Sequence, residues 1–174
     1  MGMIYGGREA RNIIVTGGSG FLGQQLLKVC SEAGHNIVNI DLSKPRNEQY
    51  RSIPYVQADL SDPMSTHKAF SKAKNEYMRG RLDDVFHMAA VVSYTLPYER
   101  LDGPNVHAAR NVATECINHH AFLVHMSGTA VLGHVNEAMR EDHPLNPVED
   151  YGFSKAEAEK KIYQKSSSQG LKAI

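Results

Sequence analysis

An α/β fold with a doubly wound parallel sheet is what this sequence predicts, on three observations. Short β-branched runs alternate with helix-like stretches from residue 12 onward. The first run, "IIV" at 13–15, opens straight into four glycines in "TGGSGFLG" (16–23) and then into a helical pattern. A chain of 174 residues, 41% of them hydrophobic, can bury one good core, so one domain is expected and no second of similar size. Strand–helix–strand spacing of this kind implies right-handed crossovers with helices on both faces of the sheet.

Taken in order, residues 1–11 carry no pattern and are expected to be a loose lead-in to a domain at 12–174. Strands are predicted at Asn12–Val15, Asn36–Ile40, Pro54–Gln57, Asp84–Met88 and Ala121–Met126. After the first strand, "FLGQQLLKVCSEAG" sets Leu22, Leu26, Leu27 and Cys30 on one helical face and stops at Gly34. Further helices are predicted over Met64–Met78, Pro104–His119 and Tyr151–Ser168, the last rich in Ala, Glu and Lys. "LKAI" (171–174) then starts a sixth strand and stops, so the sheet is expected to be truncated after its fifth helix, with the substrate-binding part absent. This apolar end is expected to be an unpaired or makeshift edge strand, and self-association into a homo-oligomer would follow from it.

Composition removes several function classes. Nineteen basic and nineteen acidic residues give net charge +0, with no basic stripe for nucleic acid or an anionic membrane surface. Apolar runs such as "MAAVV" (88–92) are too short to span a bilayer, and the N-terminal residues resemble neither a secretory signal nor a myristoylation site. Cys30 and Cys116 are far apart, as expected of reduced core thiols in a cytoplasmic protein. The nine histidines lack ligand spacing such as H-E-x-x-H, so no metal site is expected. "GGSGFLG" lacks the G-K-[ST] ending of an ATPase loop, and no G-x-S-x-G elbow is present.

The glycine stretch is the strongest functional signal. Strand, glycines, then helix is how a dinucleotide pyrophosphate is held: glycine allows close backbone approach, and the new helix offers free N–H groups and its positive dipole end. Two registers fit, Gly17, Gly20, Gly23 or Gly18, Gly20, Gly23. The next strand ends in Asp41, 18 residues beyond Gly23, close to the roughly 20 at which an acid meets the adenosine ribose hydroxyls. A carboxylate there repels a 2′-phosphate and favours NAD over NADP, although Lys44 and Arg46 nearby work against that preference.

These residues resemble a family. "TGGSGFLG" matches the T-G-x-x-G-x-x-G signature of the extended short-chain dehydrogenases/reductases, the NAD-dependent epimerase/dehydratase and 3β-hydroxysteroid dehydrogenase group, whose fold is of the Rossmann type. "ADLSD" (58–62) resembles its D-L-x-D, "VFHMAAVVS" (85–93) its H-x-A-A, "NVHAARNVATEC" (105–116) its N-V-x-G-T-x-N-V, and "YGFSKAEAEK" (151–160) its Y-x-x-S-K-x-x-A-E. The resemblance implies that Gly17, Gly18, Ser19, Gly20, Phe21, Leu22 and Gly23 bind the cofactor pyrophosphate. It implies also that Asp59 and Leu60 flank the adenine, and that Ala89 and Ala90 lie beneath the nicotinamide ribose.

Hydride transfer at an alcohol carbon needs a base, a positive neighbour for that base, and a dinucleotide. Residues four apart on a helix share a face, so Tyr151 and Lys155 form a candidate pair in which the lysine lowers the phenol pKa. Among eight tyrosines only Tyr151 has a lysine at that spacing. By the resemblance, Lys155 also contacts the nicotinamide ribose, and a Ser or Thr is expected five residues before a glycine. Counting back from Gly133 in "HMSGTAVLG" reaches Gly128, which has no hydroxyl; Ser127 and Thr129 on either side are the substitutes. Neighbouring side chains on a strand point to opposite faces, so neither is an equivalent replacement.

Two functions therefore stand. One is an NAD-dependent oxidoreductase or epimerase acting on a hydroxyl-bearing carbon of a small-molecule substrate. "HPLNPVEDYGFSK" (143–155) suits a nucleotide sugar, whereas "AVLG" (130–133), in place of V-Y-G, suits a less polar hydroxy or keto compound. The other is an NAD(P)-binding module without turnover, acting as sensor or interaction partner.

Overall fold

The computed structural model describes residues 9–174. Most of the expected lead-in lies outside the described residues. Arg11, its last residue, is pinned: its guanidinium forks onto the Asp84 carboxylate, with Nη2 to Oδ1 at 2.6 Å.

Five parallel strands form one sheet: β1 (Asn12–Thr16), β2 (Asn36–Asp41), β3 (Tyr55–Gln57), β4 (Asp84–His87) and β5 (Phe122–His125). Their order is β3-β2-β1-β4-β5, a Rossmann-type arrangement whose direction reverses between β1 and β4. The central strands are buried on both faces, which is why their sequences run apolar without alternation. On one face Ile14, Val38, Ile40, Val85 and Leu123 pack against α2 (Pro63–Lys72), α4 (Ala108–Asn118) and α5 (Asp150–Gln169). On the other, Ile13, Val15 and Ile37 pack under Leu27 and Cys30 of α1 (Phe21–Glu32). Over β4 and β5 that second face is thinly covered, and Phe122 is 37% exposed. Leu22 is not part of the buried stripe expected for α1: it is exposed, because the helix turns its first residues toward the strand ends.

The third predicted helix is more complex than its pattern. It opens as α3 (Tyr98–Leu101), widens into a π turn over Asp102–His107 and continues as α4. Pro104 brings no N–H to this stretch, so an ordinary α-turn bond is lost there and the helix accommodates the proline by widening. Asp62 caps α2, its carboxylate accepting from the Met64 and Ser65 amides.

Of the two alternatives expected for the C-terminal segment, the structure shows the makeshift edge strand and not the unpaired one. Leu171 is buried, and Lys172–Ile174 hydrogen-bond alongside β5, with Leu123 N donating to Lys172 O at 2.9 Å and Ile174 N to Leu123 O at 3.0 Å. "LKAI" thus starts a sixth strand that is already paired on one side. Among the described residues no helix is long and apolar enough to cross a membrane.

Candidate functional site

In an open parallel sheet a ligand crevice forms beyond the C-terminal strand ends, where the strand order reverses. A cleft of about 290 Å³ lies there. Its walls are the segments that follow four strands: Gly17–Gly20 after β1, Asp41–Ser43 at the end of β2, Ala58–Ser61 after β3 and Met88–Val91 after β4.

The glycines divide into two kinds. Gly17 has φ +69°, and a Cβ there would stand 2.5 Å from the Ala89 amide nitrogen. A Cβ on Gly18 would collide with the Asn39 carboxamide, and one on Gly23 with the Gly17 carbonyl. These three let the loop after β1 close on β2, on the segment after β4 and on α1. Gly20 differs: its nearest neighbour would be the Gly17 carbonyl at 3.2 Å, with no further atom close, so its bare side serves the cleft. The turn bond from Gly20 N to Gly17 O (3.0 Å) identifies Gly17, Gly20, Gly23 as the register that makes the turn. The α1 bonds start at Gln24 N to Gly20 O, which leaves the Phe21, Leu22 and Gly23 amides without intrahelical acceptors at the positive end of the helix. A pyrophosphate fits such a cradle.

Asp41 closes the next wall. Its carboxylate accepts from Ser19 N (3.0 Å) and Ser43 N (3.2 Å), while Ser19 Oγ donates to Ser43 O. The acid is thereby fixed beside the loop with acceptor capacity left over for hydroxyls. Asp59 accepts from the Ser61 amide and hydroxyl (2.9 and 2.7 Å), shaping the turn that carries Leu60. Ala89 packs on Gly17, and Ala90 lines the cleft floor.

Beside the segment that follows β5, Tyr151 and Lys155 lie on the inner face of α5, 8% and 2% exposed. Lys155 Nζ donates to the Met126 carbonyl at 2.7 Å, and burial pushes its pKa down to about 8. Tyr151 departs from expectation: burial, and then the neighbouring Tyr94, hold its phenol above the ordinary value, without an offsetting effect from Lys155. The shared helix face was legible, but the lysine's bond to Met126 was not. Gly128 faces the tyrosine, since a Cβ there would sit 3.8 Å from the Tyr151 hydroxyl. Neither substitute joins it. The Ser127 hydroxyl donates to the Glu159 carboxylate on α5, and Thr129 is exposed at the start of a short 3-10 turn.

Two supporting residues, Asn105 and Glu159, and the pairing of His87 with His125 were not disclosed by the sequence patterns. Asn105 is 1% exposed; it accepts from Val91 N and donates to Val91 O and Ser154 Oγ, tying the loop after β4 to α5. Glu159 stands four residues beyond Lys155, a spacing that could have revealed it. His87 and His125 sit in register on β4 and β5 with stacked rings 5.3 Å apart. His87 Nδ1 meets Thr16 Oγ1 at 2.7 Å, but His87 Nε2 and both His125 nitrogens are buried without partners. Burial and the nearby Lys155 charge push His125 down to about 3, and His87 is lowered for the same reasons and by His125, so both rings are neutral.

Residues 13–174 match the model of the NAD dependent epimerase/dehydratase family. The chain belongs to that family. D-erythronate dehydrogenase of Cupriavidus necator is 29% identical over 161 residues, covering 83% of this chain and 47% of that protein. UDP-glucose 4-epimerase of Azospirillum brasilense is 29% identical over 173 residues, covering 93% of this chain and 47% of its own. Of solved folds, UDP-glucose 4-epimerase from Brucella ovis in complex with NAD superposes with TM-score 0.81 at 24% identity, over 94% of this chain and 50% of that one. Pal from Bacillus thuringiensis does so with TM-score 0.83 at 20% identity, over 94% and 54%. The chain therefore spans about half the length of the family members it matches.

Proposed function

We propose that this chain is the dinucleotide-binding half of an NAD-dependent oxidoreductase or epimerase that transfers hydride at a hydroxyl-bearing carbon. The substrate-shaping residues would lie in the half that its relatives carry beyond the matched region. The observation that carries this reading is a coincidence of place. The bared helix end at Gly20 and the Asp41 carboxylate open from the same strand ends as Tyr151 and Lys155.

In this reading the Phe21, Leu22 and Gly23 amides bind the pyrophosphate, with Gly17, Gly18 and Ser19 shaping the loop. Asp41 accepts from the adenosine ribose hydroxyls and disfavours a 2′-phosphate, so NAD is preferred to NADP. Asp59 and Leu60 flank the adenine, while Ala89 and Ala90 lie beneath the nicotinamide ribose. A bound nicotinamide supplies the hydride acceptor. Tyr151 Oη takes the substrate hydroxyl proton, for which it must be a phenolate. Lys155, partly charged near neutral pH, has two further N–H groups with which to support that phenolate and the ribose. The substrate is a nucleotide sugar or a less polar hydroxy or keto compound.

Gly128 and the raised phenol pKa favour a second reading, an NAD-binding module without turnover. NADH absorbance with a panel of nucleotide sugars and secondary alcohols separates the two. Tyr151→Phe should bind NAD as the parent does and lose turnover by about a hundredfold or more. A parent that binds NAD and turns over nothing leaves the binding module standing.

A further inference from the structure

Position 128, beside the Tyr151 hydroxyl, brings no hydroxyl of its own, yet a second phenol packs against Tyr151. Tyr94, in the loop between β4 and α3, is 65% exposed, and its ring meets that of Tyr151 edge-on at 5.5 Å and 68°. The loop is held at both ends relative to α5. Val91 is tied through Asn105 to Ser154, whose hydroxyl donates to the Tyr151 carbonyl at 2.8 Å. Tyr98 N donates to Asp150 Oδ2 at 3.2 Å. Between these anchors, Ser93 Oγ accepts from the Thr95 and Leu96 amides and fixes the turn on which Tyr94 sits. Gly128 leaves the space opposite open, so nothing on β5 competes for a substrate oxygen placed at the Tyr151 hydroxyl.

We propose that Tyr94 supplies the second hydroxyl of this site, donating a hydrogen bond to the substrate oxygen whose proton Tyr151 exchanges, in place of a side chain at position 128. This rests on the oxidoreductase reading above. A phenol reaches further than a serine hydroxyl and arrives from the β4 side, so the site suits a secondary alcohol or ketone whose oxygen lies between two aromatic edges.

Two measurements on the full chain test this. In the first, tyrosines labelled with carbon-13 at Cζ are titrated, and the Tyr151 signal is assigned from Tyr151→Phe. Tyr94→Phe should shift the Tyr151 transition, because two phenols that reach one oxygen titrate as a coupled pair; an unmoved transition overturns the proposal, whether or not the chain turns over any substrate. In the second, with NAD and a secondary alcohol, or NADH and a ketone, that the parent accepts, Tyr94→Phe should lower kcat by about a hundredfold without changing dinucleotide affinity. It should lower kcat far less in a Gly128→Ser background, where a new hydroxyl replaces the lost one. Equal losses in both backgrounds would reduce Tyr94 to a packing role and refute the proposal, leaving the oxidoreductase reading intact. A parent without turnover whose Tyr151 transition does shift with Tyr94→Phe supports the paired hydroxyls and counts against the oxidoreductase reading alone.

Discussion

The glycine-lined cleft and the surroundings of Tyr151 are built in different ways. At the glycine end, shape is made by backbone: three glycines let neighbouring segments close on each other, and the free amides of α1 follow from helix geometry alone. At the Tyr151 end it is made by long side chains whose polar atoms are committed elsewhere. Lys155 is bound to Met126, Ser127 to Glu159, and the histidines beneath keep three buried nitrogens without partners. The geometry of the glycine end is set by local backbone, and that of the Tyr151 end by contacts between residues distant in sequence.

The largest effect should come from breaking the first end. Gly23→Ala drives a Cβ into the Gly17 backbone, and neither partner can move without separating α1 from β1. A loss of about 3 kcal/mol, or failure to fold, is expected in urea denaturation. Gly20→Ala meets only one atom, at 3.2 Å, and should cost less than about 1 kcal/mol while weakening dinucleotide binding at least tenfold. Equal stability losses at the two positions would erase the distinction between packing and cleft glycines.

A smaller effect sharpens the description of the second end. The His125 pKa is about 3 in the fold, against 6.5 for an ordinary histidine. Between these values the unfolded chain binds the proton that the folded chain refuses, so stability falls as pH drops from 6.5 toward 3. His125→Phe keeps a ring in the stack and removes two unpartnered nitrogens. It should be neutral or stabilising at pH 7 and should flatten the acid slope by up to roughly 1.4 kcal/mol per pH unit. An unchanged slope in denaturant titrations from pH 7 to 4 would mean that His125 is hydrated and not orphaned.

The same division governs what could be read from the sequence. All five strands fall within two residues of their predicted ends, because β-branched runs and glycine stops act locally. The glycine loop and Asp41 were legible because their chemistry lives in spacing along the chain. Counting back from Gly133 led to a position that does face Tyr151, although the stretch counted is a 3-10 turn and not a strand. What failed depends on contacts distant in sequence. Leu22 turned outward, the expected lysine effect on Tyr151 did not appear, and no local pattern disclosed Asn105 as the tie between β4 and α5. The π turn at Pro104 was hidden because an apolar helical period continues through it.

The central claim, that this chain by itself holds a finished dinucleotide site, is tested most directly by titration calorimetry of the parent with NAD and with NADP. Saturable one-to-one NAD binding, weaker for NADP and absent in Gly20→Val, is the predicted result. Equal or tighter NADP binding would contradict the role given to Asp41, and failure of the folded parent to bind either nucleotide would contradict the claim itself.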